Sequence, residues 1–346
     1  QPKVLRFGAG EPFADQRCRR LQSSAARREG RMNRHNTILQ RAAPCGAVVP
    51  DDLTHRLSPA AVIRPDEPLA RHTTLRVGGP ADIYVEPASE EDLAAVLAYC
   101  HERNRPFFVL GRGSNLLVKD GGFRGVVVCL VHPNFSRIEA AGQRLRCGAG
   151  AKLKAVAVEA RRNGLAGLEF LEGIPGSVGG ALRMNAGAMG GAMFDIVESV
   201  RLMSFEGKVH EQAARELTTA YRSCPALKTF IALAAVLCGQ PGLREAIEQR
   251  MNEYSRQRWS SQPAAPSAGC MFRNPPSIPA GKLIDELGLK GMRAGGALVS
   301  AEHGNFIVTD GNATARDILE LIEIIRQRVR AERGLELETE VEIVGE

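Results

Sequence analysis

Gly173-Ile174-Pro175-Gly176-Ser177-Val178-Gly179-Gly180-Ala181-Leu182-Arg183-Met184-Asn185-Ala186-Gly187-Ala188 is the stretch on which the reading of this chain turns. Five glycines and a proline in sixteen residues do not suit the interior of a helix or strand. Glycine at this density lets backbone approach a ligand closely and turns N–H groups inward, as phosphate-cradling loops do. A plain surface loop with turns is the ordinary alternative. A second loop of the same character upstream, and the chemistry downstream, favour the cradle.

Upstream, the pattern tightens at His72. Leu75-Arg76-Val77-Gly78-Gly79-Pro80-Ala81-Asp82-Ile83-Tyr84-Val85 reads as strand, turn, strand. Ser89 with Asp92 forms a capping-box-like helix start, and Leu93, Val96, Leu97 and Cys100 follow at helical spacing. A buried strand over 107–110 then runs into Gly111-Arg112-Gly113-Ser114-Asn115-Leu116-Leu117, and a glycine loop at the carboxyl end of a strand is where α/β folds place phosphates. It is not a Rossmann fingerprint, because Leu116 stands where the third glycine belongs, and no glycine loop carries a Gly-Lys-Ser/Thr. Backbone N–H groups and the Ser114 and Asn115 side chains are expected to hold a nucleotide here.

Around and after the opening stretch, the patterns predict a helix over 151–163, strands over 126–131, 196–205 and 230–237, and a helix over 243–254. A Pro-punctuated loop over 262–281, a strand over 305–308 and a helix over 314–332 follow. The final segment alternates strictly, with Leu335, Leu337, Thr339, Val341 and Ile343 on one face and Glu336, Glu338, Glu340 and Glu342 on the other. Pattern alone makes Glu340 one acid of a solvated face.

The 346 residues suggest two or three domains, and 44% apolar with 24% charged residues is a globular composition. Only 5% are aromatic, which argues against a stacking surface for single-stranded nucleic acid. The net charge of +6 is concentrated in residues 1–66, which hold 12 Lys/Arg against 6 Asp/Glu and leave 33 of each in the rest. Nucleic-acid and membrane partners are therefore not expected, and no obligate protein partner is evident. Residues 1–66, with an Arg-rich run and Met32 as a candidate natural start, are expected to form a poorly ordered extension. Eight cysteines form no C-x-x-C pair and no zinc-type cluster, so no metal is expected and a cytoplasmic setting is.

Seven segments together resemble one family. They are residues 72–81, 111–117, 173–188, Tyr221-Arg222-Ser223, Pro266-Ser267-Ala268-Gly269-Cys270-Met271-Phe272-Arg273-Asn274-Pro275, Ala280-Gly281-Lys282-Leu283-Ile284, and Glu338-Thr339-Glu340-Val341. Over about residues 67–346 the chain resembles the UDP-N-acetylenolpyruvoylglucosamine reductases (MurB), in the short form lacking an inserted substrate-covering segment. The resemblance implies an α+β chain. A two-lobed FAD-binding region of the vanillyl-alcohol-oxidase (PCMH) type would occupy 67–240, with lobes over about 67–134 and 135–240. A smaller α+β substrate-binding domain would occupy 241–346.

It further implies a flavoenzyme of bacterial peptidoglycan synthesis with FAD and NADPH as cofactors. Hydride would pass from NADPH to FAD N5 and on to C3 of the enolpyruvyl group, with protonation at C2. Arg222, Cys270 and Glu340 fall at the catalytic positions. Arg222 offers a permanently charged fork for a carboxylate that gains charge, and Glu340 would hydrogen-bond that carboxyl. Cys270 replaces a common serine as proton donor; with an ordinary pKa near ~8.5 it is mostly protonated at neutral pH and more acidic than an alcohol.

Cofactor contacts are expected from Gly111, Arg112, Gly113, Ser114, Asn115, Leu116, Gly173, Ile174, Gly176, Ser177, Gly179, Gly180, Asn185 and Ala186, with Arg183 nearby. Substrate contacts are expected from Tyr221, Arg256, Arg258 and Asn274. Two other readings stay open at this point. An alcohol or amine oxidase of the same FAD fold needs no Arg222, Cys270 and Glu340, and a non-catalytic nucleotide-binding regulator has no use for a proton donor.

Overall fold

The computed structural model describes residues 51–346. The expectations for residues 1–50, including a start at Met32, lie outside the described residues. Residues 51–66 do not form the expected loose extension. The helix Asp51–Thr54 seats Leu53 fully in the core, and the strand Val62–Pro68 pairs antiparallel with Pro80–Glu86. It holds two prolines, which it tolerates as an edge strand, where a missing N–H need not disturb a ladder.

In the first sheet Val62–Pro68, Pro80–Glu86, Phe123–Cys129 and Phe107–Leu110 lie side by side, the last two pairings being parallel. The crossover is the helix Glu90–Glu102, whose N-cap Ser89 accepts a hydrogen bond from the Asp92 amide. The second sheet is antiparallel, in the order Val209–Ala213, Val197–Ser204, Phe230–Cys238, Arg144–Gly148, Ile138–Ala141, and is joined by the helix Leu153–Arg162. One continuous apolar core serves both lobes.

A third sheet, Ser267–Cys270, Phe306–Thr309, Ala297–Val299 and Arg293–Ala294, packs against the helix Ala315–Arg333 around a second core. Leu75 and Val77 belong to this second core and form no strand of their own before Pro80–Glu86, where the sequence suggested strand, turn, strand. The helix Arg244–Ser261, which the sequence places in the substrate domain, buries Ile247 and Met251 in the first core. The chain therefore leaves the two lobes after 261, not at 241.

Two local expectations also change. Val178–Arg183 is a short helix in spite of Gly179 and Gly180, because it runs against the second lobe: a Cβ on Gly179 would stand 3.1 Å from Ala149 Cβ. The alternating C-terminal segment forms a ladder only over Glu342–Val344, parallel to Leu116–Val118. Before it, Thr339 bridges to Phe272, and Leu337 and Val341 plug the second core. That strand pairing carries residues 340–342 to the mouth of the first glycine loop.

Candidate active site

Both glycine loops line one cavity of about 430 Å³. Gly113, at φ +61°, is pressed so closely on the His72 carbonyl that no side chain fits. Thr74 fixes the loop by donating its amide and hydroxyl to the Gly113 carbonyl at 3.1 and 3.2 Å. Gly173 is buried, yet a Cβ there would meet no protein atom, so it faces open cavity. A second cavity of about 710 Å³ between the lobes shares residues 108–112, Ser177, Gly180 and Arg183 with the first. Two adjoining concave spaces of this size, walled by glycine backbone and apolar side chains, suit a dinucleotide.

Arg222 and Glu340 meet in the first cavity although 118 positions separate them. Arg222 Nε donates to Glu340 Oε1 at 2.7 Å, with side chains 23% and 11% exposed. Arg222 holds a left-handed backbone at φ +56°, lays its guanidinium 5.1 Å from the Tyr221 ring centre and donates to the Gly187 carbonyl at 3.4 Å. A strained backbone at a charged side chain is a mark of a functional position. Glu340 leaves the solvated set that the alternation gave it: its neighbours Glu336 and Glu338 are 69% and 78% exposed.

Cys270 ends the strand Ser267–Cys270 and lines the same cavity. Burial pushes its thiol up to about 11. The Glu340 charge adds to that shift, while the Arg222 charge and the Asn305 side chain oppose it. The group is thus held as a thiol, with its proton, at neutral pH. The Glu340 amide donates to the Met271 carbonyl at 2.8 Å, which ties the glutamate to the neighbour of Cys270.

Arg258 lines the cavity and donates to Gln262 Oε1 at 3.3 Å. It forms no ion pair among the described residues, and burial lowers its pKa against the opposing charge of Glu172. A half-buried, unpaired guanidinium facing open space suits an anion.

The expected set is not wholly gathered. Arg112, Ser114, Asn115, Leu116, Ile174, Gly176 and Ala186 line the first cavity with the loop glycines, whereas Gly179 lines the second. Asn185 bonds internally instead, donating to the Ala220 carbonyl and accepting from the Phe194 amide. Tyr221 is 57% exposed and lies outside both cavity walls. Arg256 points out from its helix and, among the described residues, donates to the Asn252 carbonyl, so helical phase separates it from Arg258. Asn274 accepts from the Ala280 amide at 3.0 Å, at the start of the helix Ala280–Glu286, and does not reach the cavity. Sequence reasoning passed over Thr74, Met184, Trp259 and Glu342, all on the wall; Trp259, the sole tryptophan and directly after Arg258, was the one visible signal.

Comparisons with known proteins agree with this geometry. Residues 81–212 match a family described as an FAD binding domain, and residues 262–344 match the C-terminal domain of UDP-N-acetylenolpyruvoylglucosamine reductase. The UDP-N-acetylenolpyruvoylglucosamine reductase of Clostridioides difficile is 45% identical over 286 residues, 82% of this chain and 94% of its own length. The chain belongs to the UDP-N-acetylenolpyruvoylglucosamine reductase family. A reductase of the same name from Heliobacterium modesticaldum is 47% identical over 283 residues, covering 81% of this chain and 90% of its own. The crystal structure of the Thermus caldophilus reductase superposes with a TM-score of 0.70 at 39% identity, covering 82% of this chain and 99% of that one. The α+β architecture with an FAD-binding region is that of the family, and the family-matched C-terminal domain opens at 262, where the helix Arg244–Ser261 ends. Between Arg222 and the strand Phe230–Cys238 this member has only the short turn Pro225–Lys228.

Proposed function

We propose that the protein reduces UDP-N-acetyl-3-O-(1-carboxyvinyl)glucosamine to UDP-N-acetylmuramate, with FAD as resident cofactor and NADPH as electron donor. The observation that carries the reading is the Arg222–Glu340 pair, set with Cys270 on the wall that both glycine loops share. The open space before Gly173 and the backbone walls at residues 111–115 fit the cofactor. When bound, FAD supplies hydride carriage from the nicotinamide to C3 of the vinyl group.

The chain's own side chains do the rest. The Arg222 fork receives the substrate carboxylate, whose charge grows as C3 takes hydride, and a donor of this kind is worth about 10²–10³ in rate. Glu340 orients Arg222 and shares a proton with the same carboxyl as that group gains charge. The Cys270 Sγ–H gives its proton to C2; burial keeps that proton in place until the accepting carbon becomes basic. Arg258 meets the diphosphate, and Trp259 beside it offers a ring face at the cavity rim.

NADPH and the sugar nucleotide would take the same opening in turn. Small-molecule substrates of this kind and six unpaired cysteines among the described residues suit a cytoplasmic enzyme of wall-precursor synthesis, on which cell shape and division depend. No described helix is long and apolar enough to cross a membrane. The test is anaerobic: NADPH bleaches the bound flavin, and the enolpyruvyl substrate alone should restore its colour. Recovery only on admitting oxygen, with no UDP-N-acetylmuramate formed, refutes the proposal.

A further inference from the structure

Asn115 closes the first glycine loop, and its place in that loop suggests a side chain aimed at phosphate. It lines the first cavity, but its side-chain amide is engaged within the protein. Its Nδ2 donates to the backbone carbonyl of Glu340 at 3.1 Å, and lies 3.8 Å from Met184 Sδ. Its own carbonyl accepts from the Glu342 amide at 3.1 Å. One loop residue thus grips the backbone on both sides of Val341, which is itself buried at 2% exposure.

Glu340 is consequently anchored at both ends of its own peptide unit. Its amide donates to Met271 at 2.8 Å, next to Cys270, and its carbonyl is held by Asn115. With the backbone fixed on both sides, the side chain sets out from a defined Cα, from which it reaches Arg222 Nε at 2.7 Å. The parallel pairing of Glu342–Val344 with Leu116–Val118 begins one residue beyond Asn115 and does not depend on its side chain.

We infer that the side chain of Asn115 is a positioning group for Glu340 and not a ligand of the cofactor phosphates, whatever contact its backbone makes along the loop. Its amide links the cofactor loop to the carboxylate that works on the substrate, so that flavin and glutamate keep one relative placement. The inference rests on the proposed role of Glu340. Loss of the bond frees the Glu340 carbonyl while the ladder beyond it persists, so the carboxylate shifts without unfolding. A displacement near 1 Å costs up to about a hundredfold in rate.

The test uses full-length Asn115→Ala and the isosteric Asn115→Asp, which keeps the shape but sets an acceptor against the Glu340 carbonyl. FAD affinity is read by titrating apoprotein with FAD while following the fluorescence of Trp259, the only tryptophan. The two half-reactions are followed by anaerobic stopped flow. Expected are FAD affinity and NADPH-driven flavin reduction within about twofold of wild type, with reoxidation by the enolpyruvyl substrate slowed roughly tenfold to a hundredfold. In a Glu340→Gln background, which slows reoxidation by itself, Asn115→Ala should add less than about twofold. A tenfold loss of FAD affinity in both variants overturns the inference, as does a loss undiminished in the Glu340→Gln background. Wild-type turnover by Glu340→Gln alone refutes the role of Glu340 and the inference with it, an outcome distinct from the other two.

Discussion

Arg222 joins a strained backbone to a charge the reaction needs, and two substitutions separate these. At φ +56° a residue with a Cβ carries roughly 1–2 kcal/mol of strain that glycine does not. Arg222→Ala and Arg222→Gly both delete the guanidinium that meets Glu340 at 2.7 Å, so the lost ion pair cancels between them. What remains is the strain, less the roughly 0.5–1 kcal/mol that glycine costs through its freer unfolded chain. The glycine variant should therefore be the more stable by up to about 1.5 kcal/mol, the reverse of the usual order. Both should lose about 10²–10³ in kcat/KM, because either one removes the donor to the substrate carboxylate. Urea unfolding followed by circular dichroism gives the first comparison and steady-state kinetics the second. An alanine variant more stable than the glycine variant contradicts the left-handed backbone, and a glycine variant within tenfold of wild-type activity contradicts the use of the guanidinium.

Burial raises the Cys270 thiol to about 11, so its proton, and the folding stability tied to that shift, are retained below the ordinary thiol value near ~8.5 and lost as pH climbs through the raised one. Alkylation of Cys270 by iodoacetamide should then rise with a midpoint near 11, measured against Cys270→Ser as the blank; a midpoint near ~8.5 contradicts the burial. Gly173→Ala should leave apoprotein stability unchanged, since its Cβ meets no protein atom, yet weaken FAD at least about tenfold; unchanged FAD affinity would remove this loop from the cofactor site. Arg258→Ala should raise KM for the UDP-sugar about tenfold with kcat within about threefold; an unchanged KM contradicts the diphosphate contact.

Local patterns were read well where local physics decides them. The helix Glu90–Glu102 follows from its Ser89 cap and apolar stripe, and the helix Ala315–Arg333 from its capping box and its spacing. Glycine count alone suited a surface loop as well as a cradle, and that the two loops line one cavity is set by the fold. What escaped was set by distant partners. Glu340 looked solvated because alternation shows which side of a strand it takes, but not that Arg222 arrives there. The bond from the Asn115 amide to the Glu340 carbonyl joins positions 225 apart, which no local pattern shows. Asn274 and Arg256 carried the right chemistry, but one is spent on the amide of Ala280 and the other is turned to solvent by helical phase. The strand Val62–Pro68 was hidden by two prolines that an edge position tolerates.

The central claim is that Cys270 supplies the proton once Arg222 and Glu340 hold the carboxylate. It is tested most directly by loading wild-type, Cys270→Ser and Cys270→Ala proteins with FAD, reducing each with one equivalent of NADPH without oxygen, and adding the enolpyruvyl substrate. Wild type should recover its flavin colour within the turnover time and Cys270→Ser should follow within about a hundredfold, whereas Cys270→Ala should stay bleached over the same interval. Recovery of Cys270→Ala at the wild-type rate, with UDP-N-acetylmuramate formed, contradicts the account.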